Sequence, residues 1–147
     1  MNNAELKIVI LVSALLGTFF FAVLYNTFER KIEMPVCIPY SAVFEKPGIR
    51  KLDNKTYQIY IVARMWEFDT GEIVINQGST VDFYLTSKDV VHGFNIERKA
   101  VNLMAIPGAV NKTTISFNDP GTYRIVCHEY CGIGHQGMMG KVIVTNN

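Results

Sequence analysis

The chain has 147 residues, room for one domain of ordinary size, and its 18% charged content and net charge of +1 argue against nucleic acid as a partner. Neither the ends nor the middle carries a block of like charge. No nucleophile elbow and no glycine-rich phosphate loop is present, so hydrolase and nucleotide-binding readings have little to rest on.

The first predicted element runs from Ile8 to Tyr25 without a charged residue, between Lys7 and the Glu29-Arg30-Lys31 triplet. As a helix this run covers roughly 27 Å, close to the ~30 Å hydrocarbon core of a bilayer. A signal peptide would have an apolar region of about 7–15 residues ending in a small-x-small site. Here the run is longer and leaves through Phe28, Glu29 and Arg30. The expectation is a retained single-pass membrane anchor over residues 1–31. Arg30 and Lys31 follow the span and only Lys7 precedes it, which by lysine and arginine count alone would put the larger part in the cytoplasm. The ligand set described below argues instead for the periplasmic or extracytoplasmic face of the cell inner (plasma) membrane.

Residues 32–55 change character, with Pro35, Pro39, Pro47, Gly48 and scattered charge, and read as an extended connector over the membrane surface. Cys37 in this stretch reads as a small buried or free thiol, because no lipoprotein-type cleavage context precedes it. From Thr56 onward, runs rich in Val, Ile, Thr, Tyr and Phe alternate with turn signals. Strands are expected at Tyr57–Met65, Glu72–Ile75, Thr80–Thr86, Gly93–Ile96, Thr113–Phe117, Thr122–Val126 and Lys141–Val144, with turns at Asn76-Gln77-Gly78 and Asn118-Asp119-Pro120-Gly121. The fold class is mainly β: an antiparallel Greek-key sandwich over 56–147 with a core shared by two sheets.

The chemistry lies between the last two strands. Cys127, Cys131, His135 and Met138 place two thiols, an imidazole and a thioether in one loop punctuated by Gly132, Gly134 and Gly137, and His92 arrives from another loop. Sulfur ligands of this kind favour copper. A mononuclear blue-copper centre needs one thiolate, so the second suggests two coppers bridged by sulfur. Structural zinc leaves Met138 unexplained and finds His92 far from the other ligands. A disulfide ignores His92, His135 and Met138. A thiol nucleophile at Cys127 with His135 as base makes Cys131 and Met138 coincidences.

At these residues the chain resembles subunit II of haem–copper cytochrome c oxidases. The matching pattern is His92 followed by Cys127, Glu129, Cys131, Gly132, His135 and Met138 at the family spacing, with Asp89-Val90-Val91 before His92-Gly93-Phe94, and Pro107-Gly108 further on. The resemblance implies a cupredoxin-like domain carrying a binuclear CuA centre. In it Cys127 and Cys131 would bridge both coppers, His92 and His135 would each cap one, and Met138 and the carbonyl of Glu129 would be weak ligands. In family members with glutamate at the position of Glu129, the carboxylate can also reach a magnesium ion at the interface with the catalytic subunit, and the resemblance implies the same option here. A one-helix anchor looks like the shorter B-type oxidases, in which a separate small helical subunit fills the vacant place. His128 reads as a surface or interface residue. Trp66 and Phe68 fall where the family places an aromatic patch facing cytochrome c, with core packing as the other reading. The implied role is the subunit through which electrons from cytochrome c pass to haem in subunit I, where oxygen is reduced with proton translocation. Another membrane-anchored copper electron-transfer domain is the alternative. Nitrous oxide reductase shares the motif but is soluble, much longer and carries a further catalytic domain.

Overall fold

A computed structural model describes residues 2–29, 36–38 and 43–146, with only the backbone described for 36–38. Arg30, Lys31, Pro35 and Pro39, on which the orientation and connector readings lean, lie outside the described residues, as does the side chain of Cys37. The chain divides into two compact units, Met1–Glu33 and Met34–Asn147.

Among the described residues the first unit holds one helix, α1 (Asn3–Glu29). A capping box starts it: the Asn2 side chain accepts from the Glu5 N–H, and the Glu5 carboxylate accepts from the Asn2 N–H, each at 2.8 Å. Its polar side chains close on their own backbone, Thr18 on Ala14, Asn26 on Ala22 and Thr27 on Val23. That is how a helix satisfies hydroxyls and amides where no water is at hand. By length and composition α1 is able to cross a membrane.

In the second unit the described residues form β1 (Val36–Ile38), β2 (Gly48–Lys51), β3 (Thr56–Arg64), β4 (Glu67–Asp69), β5 (Ile73–Asn76), β6 (Ser79–Ser87), β7 (His92–Ile96), β8 (Val101–Ala105), β9 (Val110–Phe117), β10 (Gly121–Val126) and β11 (Met139–Thr145). One sheet has the order β1-β9-β6-β3-β2, with β4 on β3, and the other β5-β11-β10-β7-β8. Two strands, β1 and β2, fall in the proline-containing stretch 32–55 and pair with β9 and β3.

Two pairs, β3 with β6 and β5 with β11, run parallel where an antiparallel sandwich was expected. After β3 the chain passes through β4, crosses to the other sheet for β5 and returns, so it enters β6 from the same end as β3. Alternation reports which face a residue takes and carries no information on the direction of its neighbour.

Period-two alternation builds the core. Tyr57, Ile59, Ile61 and Ala63 of β3 face Phe94 and Ile96 of β7, Tyr123 and Ile125 of β10, and Val142 and Val144 of β11 across one buried cluster. Phe83 at its centre touches Phe94 and Phe117, with ring centroids 5.9 and 6.4 Å away. Burying a side chain of that size contributes about 1.5–3 kcal/mol. Phe68 belongs to this core, edge-on to Phe94 at 5.6 Å, so of the two expected patch aromatics only Trp66 is exposed.

Candidate metal centre

Strand parity carries the site into the dry end of the sandwich. Two residues before the inward Phe94 stands His92, at the first position of β7, and its side chain is fully buried. Two residues beyond the inward Ile125 stands Cys127, and two before Gly140 stands Met138, which is 1% exposed. The β10–β11 ladder ends at Val126 opposite Met139, and the Cys127 N–H then donates to the Met138 carbonyl at 3.3 Å. Between them the loop turns back through Cys131 and a single 3-10 turn at His135–Gly137.

The sulfur atoms meet around Cys131. Its Sγ lies 3.7 Å from Cys127 Sγ, 3.5 Å from His135 Nδ1 and 3.8 Å from Met138 Sδ. Donor atoms of His92, Cys127 and Cys131 all fall within 4.8 Å of one another, and this is the one such group among the described residues. Both cysteines are free thiols. Burial pushes the Cys131 thiol up to about 11, and the neighbouring Cys127 adds to the shift. A thiol with that value keeps its proton at neutral pH until a soft cation displaces it.

His92 is held from behind. Its Nε2 lies 2.7 Å from Asp89 Oδ1, and because a carboxylate can only accept, the imidazole carries its proton there. Its Nδ1 is buried with no partner, a state that costs free energy unless something accepts the lone pair. A buried imidazole nitrogen without a partner, on a histidine grouped with two sulfur donors, is what a metal would satisfy, and the donor set fits copper.

Asp89 has further partners: its Oδ2 accepts from the Met65 N–H at 2.7 Å, and its Oδ1 from the Val90 N–H at 2.7 Å and the Ser87 hydroxyl at 3.3 Å. Burial works to raise its pKa, but the hydrogen bonds from His92, Met65 and Val90 outweigh it and hold the carboxyl below its usual range. The Met65 turn presents Trp66, 41% exposed, whose indole N–H donates to the Cys131 carbonyl at 3.1 Å. Its ring lies so close to Gly134 that a Cβ there would sit 2.4 Å from it, and it also flanks Gly132, which adopts φ +115°. Trp66 is therefore packing and surface at once.

Glu129 divides its two groups. Its carbonyl accepts from Cys127 Sγ at 3.3 Å, while its carboxylate lies 3.5 Å from His128 Nδ1 and is well exposed. His128 is an exposed residue whose side chain is 27% exposed, its Nδ1 2.5 Å from where a Cβ on Gly93 would stand. The loop also carries Tyr130 and Ile133, 79% and 83% exposed, two apolar side chains left in water beside the cluster.

Sequence reasoning named Asp89 and Gly93 only as parts of a matching segment. Their work depends on contacts across loops, and a carboxylate three residues before a buried histidine was the available signal for Asp89.

The family model for cytochrome C oxidase subunit II, periplasmic domain, matches residues 49–146. The cytochrome c oxidase subunit 2 of Thermus thermophilus is 40% identical over 88 residues, covering 60% of this chain and 65% of that protein. The heme-copper oxidase subunit 2 of Aeropyrum pernix is 42% identical over 76 residues, covering 50% of this chain and 32% of that one. The match thus spans less than two thirds of these relatives' length. A chain of a heme-copper terminal oxidase dimer solved by cryo-EM is 44% identical, with a TM-score of 0.88 over 97% of this chain and 100% of that chain. The periplasmic domain of subunit II of cytochrome oxidase of Bradyrhizobium japonicum, at 21% identity and a TM-score of 0.57 over 61% of this chain and 84% of that one, shares the fold.

Proposed function

This chain belongs to the cytochrome c oxidase subunit II family, and we propose that it is the subunit through which electrons enter a membrane haem–copper oxidase. It takes electrons from a c-type cytochrome and hands them to haem in subunit I, where oxygen is reduced with proton translocation. The observation that carries this reading is the pair of buried cysteine sulfurs 3.7 Å apart, closed in by His135 and Met138 and by a buried, unpartnered His92 Nδ1.

The residues that would hold a two-copper centre are Cys127 and Cys131 as bridges, His92 and His135 as end ligands, and Met138 and the Glu129 carbonyl as weak ligands. When bound, such a centre supplies one-electron chemistry with the charge shared between two ions, so little around it has to move. The protein's part is to hold the ligands: His92, Cys127 and Met138 continue core strands, and a rigid support of that kind resists change between oxidation states. Trp66 offers a half-exposed ring bonded to the Cys131 carbonyl, which suits it to meet the cytochrome. The exposed Glu129 carboxylate would give one oxygen to a magnesium ion at the subunit I interface, a site that one carboxylate cannot complete alone. Residues 1–31 anchor the chain, and the stretch 32–55 joins the anchor to the copper domain while adding β1 and β2 to one of its sheets. The domain then stands on the periplasmic or extracytoplasmic face, beside subunit I and a small helical subunit.

Stopped-flow mixing of the copper-loaded chain with reduced c-type cytochrome tests the role: rapid reduction is expected, and a loaded chain that stays oxidised would overturn it. In the same assay Trp66→Phe, which keeps a ring but loses the indole N–H, is expected to slow reduction by about tenfold, or about 1.4 kcal/mol in the barrier, with little change in the copper spectrum. Unchanged kinetics would assign Trp66 to packing alone. Met138→Leu is expected to retain both coppers and raise the reduction potential in voltammetry, because a weak donor to the oxidised state is lost. Loss of all copper would show that Met138 is a principal ligand.

A further inference from the structure

We propose that Asp89 is a positioning residue that joins the metal-facing histidine to the tryptophan turn through one carboxylate, a role that in its copper-bound consequences rests on the function proposed above. One oxygen, Oδ1, takes the His92 Nε2 proton at 2.7 Å and the Val90 N–H at 2.7 Å. The other, Oδ2, takes the Met65 N–H at 2.7 Å, from a segment 24 residues earlier in sequence. The first contact fixes the imidazole as the Nε2–H tautomer and leaves the Nδ1 lone pair free for a metal. The second fixes the backbone next to Trp66, whose indole N–H bonds the carbonyl of Cys131. A ring of contacts therefore runs from His92 through Asp89, Met65 and Trp66 to Cys131, and Asp89 is the member that bonds to two separate segments. No other ionisable side chain bonds to His92 among the described residues.

The two oxygens have separable duties, and asparagine tests this. Its one carbonyl oxygen can serve the donors on the Oδ1 side, His92, Val90 and Ser87, but its amide group then faces the Met65 N–H and cannot accept from it. In Asp89→Asn the His92 tautomer is expected to persist while the Met65 turn loosens. In Asp89→Ala both are lost.

The experiment uses the full chain in detergent micelles. Nitrogen-15 shifts of the His92 ring in the metal-free chain report the tautomer, and fluorescence of Trp66, the one tryptophan in the sequence, reports the turn. Wild type is expected to show the Nε2–H form; Asp89→Asn to keep it with shifted tryptophan emission; Asp89→Ala to show mixed tautomers, shifted emission and copper affinity lower by about 10–100-fold. The proposal is overturned if Asp89→Ala leaves tautomer and emission as in wild type, or if Asp89→Asn and Asp89→Ala give the same tautomer mixture. A wild-type chain that failed to take up two coppers would sink the proposed function, and the metal-free spectra would still decide the role of Asp89.

Discussion

Cys131→Ser is expected to abolish the two-copper centre while leaving the sandwich folded. Cys131 Sγ is close to three other side-chain donors of the loop: 3.7 Å from Cys127, 3.5 Å from His135 and 3.8 Å from Met138. Serine is nearly the same size but offers a hard alcohol oxygen that does not ionise near neutral pH and cannot bridge two soft ions. Copper content should fall from two per chain to one or none, and the spectrum of coupled ions should vanish. The cost to folding should stay at the low end of the usual ~0.5–3 kcal/mol, because no cavity of consequence opens. Two strongly coupled coppers surviving in Cys131→Ser would contradict the ligand assignment.

The second large effect is expected from a residue with no side chain. A Cβ on Gly93 would stand 2.5 Å from His128 Nδ1, 2.6 Å from the His128 backbone nitrogen and 2.7 Å from that of Glu129. The imidazole could rotate away, but the two backbone nitrogens belong to the loop that follows Cys127. Gly93→Ala must therefore push that loop off β7, at about 1–3 kcal/mol or more. The same push moves Cys127 and the Glu129 carbonyl relative to His92, so copper affinity and melting temperature should fall together. Gly137→Ala is the control, since nothing lies within 4 Å of its would-be Cβ, and it should melt within a few degrees of wild type. Equal melting temperatures and copper affinities for the two variants would mean that the loop does not depend on contact with Gly93.

Where alternation was strong the sequence was readable. β3, β10 and β11 follow their inward residues almost position by position, and the parity that buries Phe94 and Ile125 extends to His92 and Cys127. β2 was not readable because all four of its residues are exposed, and it is held by backbone pairing to β3 instead of by a buried face. β4 is three residues long, too short to show a period. β8 alternates cleanly between buried and exposed, but its Asn, Met and Ala have little strand preference of their own. The parallel pairs β3·β6 and β5·β11 depend on a crossing between sheets that no local pattern records.

In the site, the chemistry of the donor residues was legible and their support was not. Two cysteines, a histidine and a methionine in one loop announce a soft metal by residue type alone. Asp89 and Gly93 do not declare their roles by residue type, because one acts through hydrogen bonds to two separate segments and the other by leaving room for a backbone. Trp66 stood between packing and function in the sequence, and its geometry gives it a share in both, with a ring against Gly134 and an edge in solvent.

Electron paramagnetic resonance on the full chain loaded with copper, alongside its copper-to-protein ratio, decides whether Cys127 and Cys131 bridge a copper pair. Two coppers per chain and hyperfine structure from one electron shared by two copper nuclei are expected. A single-copper pattern, or a silent protein loaded with zinc, would contradict the bridged pair.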